Sequence, residues 1–94
     1  MKKITMFFGK ECPHCRAMLP KAEKIEKEEN VKIEKLEVWH NEENAEKMRS
    51  LEKLIRKGCG GEFGVPAFIN QEKNDAFCGE KPLEELKEWV KKNA

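Results

Sequence analysis

The chain has 94 residues, 39% of them charged, with 19 Lys and Arg against 18 Asp and Glu for a net charge of +1. That length suits one small domain, residues 1–94, and so even a charge balance excludes the basic stripe of a nucleic-acid binder and any acidic tail. No apolar run approaches the length of a membrane helix, so neither a membrane nor nucleic acid is expected as a partner. The first nine residues carry Lys2 and Lys3 ahead of a short apolar run, too little for a signal peptide, which leads to a cytoplasmic assignment. Four cysteines in such a chain favour catalytic or metal-binding roles over structural cross-links.

In chain order, residues 3–8 are β-branched and aromatic and predict a buried central strand. Gly9, Lys10 and Glu11 form the turn that delivers Cys12-Pro13-His14-Cys15. A helix is predicted over residues 13–29, with Met18, Ala22 and Ile25 on its buried face and Pro20 kinking it by removing one backbone hydrogen bond. Residues 31–39 read as the second strand, parallel to the first because a helix connects them; its slipped alternation allows a bulge or a start near Ile33. Asn41 suits the N-cap of one further helix that carries Ala45, Met48, Leu51 and Leu54 or Ile55 inward and ends at Gly58. A glycine-rich loop around Cys59 has no Lys-Ser/Thr and no helix behind it, so it resembles no phosphate-binding loop and reads as conformational freedom for a sharp return to the sheet. Residues 65–70 and 75–78 form a hairpin, with Pro66 at the start of its first strand. Lys81 and Pro82 open a last helix with Leu83, Leu86 and Val90 inward.

The chemistry concentrates at the strand-to-helix junction. Pro13 fits the first helical position, so Cys12 faces the free N–H groups and the positive end of the helix dipole, which favour a thiolate over a thiol. Cys15 lies one turn on, within reach of a small disulfide ring, and His14 between them favours the Cys12 thiolate further when its imidazole is cationic. Zinc binding and a pair of inert buried thiols compete with redox chemistry for a Cys-x-x-Cys, but the strand–turn–helix context favours redox use. Cys59 and Cys78 are open to three readings: free thiols, a second disulfide of regulatory or relay role, or a metal site made with Cys12 and Cys15. His40 and Trp39 read as surface and partly buried loop residues.

Over nearly its whole length the sequence resembles the thioredoxin superfamily. Cys12-Pro13-His14-Cys15 is similar to the motif of the DsbA-type oxidases, and Pro20 to the helix-kinking proline of thioredoxins. Gly64-Val65-Pro66-Ala67 resembles the loop with a cis proline, and Phe77-Cys78-Gly79 the final hairpin and glycine. The resemblance implies an α/β fold of order β-α-β-α-β-β-α, with a mixed four-stranded sheet and helices on both faces. It implies a monomeric protein-disulfide oxidoreductase that moves electrons through a redox-active centre, with Cys12 as nucleophile, Cys15 as resolving thiol, and Pro13 and His14 completing the catalytic motif. It further implies a cis Pro66, and a substrate platform of Gly64, Val65 and Pro66 where the Val65 backbone receives an extended chain. Protein or peptide disulfides are the expected substrates, a reductase or glutathione recycles the protein, and no cofactor is needed. Two departures stand out: Glu11 replaces the usual Trp, and Met6 replaces a buried acid, leaving Lys35, Glu11 or water to accept the Cys15 proton. A glutaredoxin-like use of glutathione and a metal-binding module of Cys12, Cys15, Cys59 and Cys78 are the alternative functions.

Overall fold

The computed structural model describes residues 4–93; Lys3, where the sequence reading begins the first strand, lies outside them. The apolar run becomes β1 (Ile4–Phe8), and the amphipathic run after the dithiol becomes α1 (Pro13–Glu29), capped by Cys12 and closed by Asn30 in the left-handed conformation. The second strand, β2 (Ile33–Glu37), starts at Ile33, one of the two readings its slipped alternation allows, and ends before Trp39. Glu26 of α1 accepts the Ile33 N–H (2.9 Å) and pairs with Lys35, which fixes the strand's start at Ile33.

The single helix expected up to Gly58 is two, α2 (Glu42–Ser50) and α3 (Glu52–Gly58), parted at Leu51. The Ser50 hydroxyl donates to the Lys47 carbonyl (2.6 Å), the acceptor a continuous helix would offer Leu51. The Leu51 N–H goes to Met48 instead (3.0 Å). Then follow β3 (Ala67–Asn70), β4 (Asp75–Cys78) and α4 (Leu83–Asn93). The third strand begins after Pro66, which has no N–H to give the ladder, rather than at Val65.

The sheet order is β2-β1-β3-β4, with β1 and β2 parallel and the other pairs antiparallel. Alternation along the strands divides the core. Ile4, Met6, Phe68 and Phe77 pack with Met18, Ile25, Leu86 and Val90 of α1 and α4. On the opposite face, Phe7, Ala67, Ile69 and Ala76 pack with Met48 and Ile55 of α2 and α3. Gly58 lets α3 approach β4 so closely that a Cβ there would overlap the Ala76 carbonyl. The expected mixed four-stranded α/β sheet with helices on both faces is therefore the fold that forms.

Register decides where the functional segments meet. Phe8 pairs with Glu37, and Phe7 with Ala67, which in turn pairs with Cys78. The end of β1 that leads to Cys12, the end of β2, the Val65–Pro66 segment and the end of β4 thus share one end of the sheet.

Candidate active site

Cys12 occupies the N-cap of α1 with extended backbone, and Pro13 takes the first helical position, as its missing N–H allows. The Cys15 N–H donates to Cys12 Sγ (3.4 Å), and the Gly9 N–H donates to Cys15 Sγ (3.4 Å). Both thiols are free and buried, Cys15 completely. Burial, with the hydrogen bond to the Cys12 sulfur second, pushes the Cys15 thiol up to about 12, against the opposing pull of the Gly9 N–H. The pair is therefore asymmetric: Cys12 meets the helix N-terminus, while Cys15 is a protonated thiol behind it.

The turn between Phe8 and Cys12 is held from the end of β2. One Glu37 oxygen accepts the N–H groups of Lys10 (2.9 Å) and Trp39 (3.1 Å), and the other accepts that of His40 (2.7 Å). Desolvation opposes ionisation of Glu37, but these three donors outweigh it and hold its carboxyl below the ordinary range. Glu11 pairs with His40 Nε2 (2.7 and 2.9 Å). That hydrogen bond is the main reason the His40 imidazole titrates above, and the Glu11 carboxyl below, their ordinary values. The Trp39 ring covers Gly9 so closely that a Cβ at Gly9 would collide with it, while its outer face leaves the residue 51% exposed.

Neither proton acceptor considered for Cys15 is engaged with it. Lys35 is paired with Glu26, and Glu11 with His40. The exposed His14 pairs through Nδ1 with Glu80 (3.0 Å), just after β4. Sequence reading missed Glu37 and Glu80 as neighbours of the dithiol, and it gave His40 no partner. The only local signals are a charged residue at a strand end and another beside Gly79.

The Val65–Pro66 peptide bond is cis. Pro66 is buried, and its carbonyl accepts the Gly79 N–H (2.9 Å). Among the described residues, Val65 takes part in none of the loop and turn hydrogen bonds that pin its neighbours. Gly64 sits in open space beside it.

The second cysteine pair forms a disulfide: Cys59, at the end of α3, is bonded to Cys78 of β4. The four-thiolate metal site is thereby corrected. Two of its sulfurs are bonded to each other, and no group of three or more His, Cys, Asp or Glu suited to a metal gathers among the described residues.

No protein-family profile matches the chain, and no curated protein matches it in sequence. Among solved structures it is similar to thioredoxin 1 from the thermophilic eubacterium Thermosipho africanus TCF52B. The two share 27% identity and a TM-score of 0.65 over 98% of this chain and 92% of that one. It is also similar to the glutaredoxin from Methanosarcina mazei Go1, at 20% identity and a TM-score of 0.60 over 95% of this chain and 78% of that one; at this identity the likeness speaks for the fold alone. With that sheet, and with a dithiol closing its first strand–helix junction, the chain belongs to the thioredoxin superfamily, a thiol oxidoreductase by kind.

Proposed function

We propose that the protein exchanges disulfides with protein or peptide substrates through Cys12 and Cys15. The observation that carries this reading is the Cys12 sulfur at the N-cap of α1, on the Cys15 N–H, with the buried Cys15 thiol behind it. In the reducing direction Cys12, as thiolate, attacks one sulfur of the substrate disulfide and displaces the other as a thiolate. Cys15 then loses its proton to solvent and attacks the Cys12 sulfur. A Cys12–Cys15 bond forms, the second substrate thiolate leaves, and two electrons have passed to the substrate. The oxidising direction is the same sequence reversed, and no cofactor enters either one. The Val65 backbone, free of loop hydrogen bonds at the same end of the sheet, suits the addition of an extended substrate chain.

Incubating the reduced protein with a peptide disulfide tests this. Cys12→Ala abolishes exchange, whereas Cys15→Ala still captures the peptide and accumulates a covalent adduct visible by mass. An active Cys12→Ala protein refutes the proposal. Faster turnover of a glutathionyl mixed disulfide than of the peptide disulfide would reassign the function to the glutaredoxin type.

A further inference from the structure

Resting on that reading, we infer that Glu37 is a positioning residue for the second step of the exchange: through the turn after β1 it holds the Gly9 N–H on the sulfur of Cys15. Glu37 itself touches neither cysteine. Its carboxylate is the point where three backbone N–H groups from two segments converge, on Lys10 ahead of the dithiol and on Trp39 and His40 after β2. Gly9 is therefore pinned from both sides. The Phe8 carbonyl accepts the Val38 N–H (2.9 Å), the Lys10 N–H is held by Glu37, and the Trp39 ring closes over Gly9 itself. The Glu11–His40 pair ties down the far side of the turn, and Arg16 Nε donates to the Lys10 carbonyl (3.2 Å) from α1.

The two cysteines depend on this turn unequally. The Cys12 N–H donates to the Gly9 carbonyl (3.1 Å), but the Cys12 sulfur takes its hydrogen bond from the Cys15 N–H and faces the N-terminus of α1, both of which belong to the helix. Cys15 is fully buried, and its sulfur accepts from the Gly9 N–H, which belongs to the turn. Cys15 becomes a thiolate only for its attack on the mixed disulfide, so a donor held on that sulfur favours the deprotonation that precedes resolution and plays no part in capture. A charged acceptor serves the role because it binds three N–H groups more strongly than a neutral one.

The test uses the reduced protein, with its Cys59–Cys78 bond intact, mixed with excess of a symmetric aryl disulfide whose thiolate is coloured. Capture by Cys12 liberates one coloured thiolate and resolution by Cys15 liberates the second, so stopped-flow absorbance reads both steps, and acid-quenched mass spectra count the mixed disulfide between them. Glu37→Ala is expected to leave capture within about twofold and to slow resolution by about tenfold or more, the effect of losing one hydrogen bond to a charged sulfur. The mixed disulfide then accumulates during turnover. Glu37→Gln keeps one acceptor oxygen, restores part of the rate, and is judged by the same criterion if the alanine variant does not fold. Resolution within about twofold of the parent overturns the inference, as does an equal slowing of both steps, the mark of a merely structural role. Failure of the underlying function looks different: the parent protein then gives no two-step release, or Cys12→Ala gives it unchanged.

Discussion

Replacing both Cys59 and Cys78 by serine removes the one disulfide and leaves the dithiol untouched. The bond joins residues 19 apart, and for a loop of that length chain entropy assigns it about 3 kcal/mol at 25 °C, acting mostly on the unfolded ensemble. Serine matches cysteine in size and both positions are half-buried, so little cavity cost is added. For 94 residues the unfolding entropy is about 0.2 kcal/mol/K, so the melting temperature should fall by about 15 °C. Urea unfolding followed by circular dichroism gives the free energy, and a thermal scan the shift. Thiol counting on the denatured parent first establishes that the bond is present. A loss below about 1 kcal/mol in a parent that contains the bond would refute the loop-closure reasoning, and would mean that the unfolded chain already holds the ends of α3 and β4 together.

Cys15 makes stability depend on pH. Its thiol is raised in the fold from an ordinary 9.0 to about 12, so above pH 9 the unfolded chain gives up a proton that the native one keeps. The reduced protein should therefore lose stability as pH climbs from about 9 towards 12, by at most ~1.4 kcal/mol per pH unit. Urea titrations at several alkaline pH values should show a shallower slope in Cys15→Ser, and equal slopes would contradict the burial argument. At the other face of the dithiol, Glu80→Gln removes the negative charge that pairs with His14 Nδ1. Taking a negative charge away from beside Cys12 favours its thiolate and makes the pair more oxidising. Equilibration in graded glutathione buffers measures this, and a more reducing pair would refute it.

The local parts of this fold were legible in the sequence because their causes are local. An apolar strand, a Pro at the first helical turn and the spacing of Met18, Ala22 and Ile25 place Cys12 at the helix start and Cys15 one turn into it; the full burial of Cys15 emerges only in the fold. The break at Leu51 was not legible, for neither Gly nor Pro marks it; a serine hydroxyl taking the Lys47 carbonyl is one of many outcomes open to an exposed serine. The pairing of Cys59 with Cys78 was one of three open readings. What selects it is packing: Gly58 brings α3 onto β4, and the hairpin register sets Cys78 opposite Ala67, at the end of the sheet where α3 terminates.

The groups that surround the dithiol share this non-local origin. Glu11 and His40 are 29 residues apart, Lys10 and Glu37 are 27 apart, and His14 and Glu80 are 66 apart. Each contact exists only because the parallel pairing of β1 with β2 and the antiparallel hairpin bring three chain segments to one end of the sheet. A four-residue motif can specify two sulfurs and the helix end that receives them. It cannot specify the difference between them, since the donor to Cys12 comes from its own helix whereas the donor to Cys15 comes from a turn fastened by another strand. Substitutions within residues 37–40 should therefore alter the exchange with the Cys-Pro-His-Cys sequence intact, and proteins that share the motif need not share the rate of its second step.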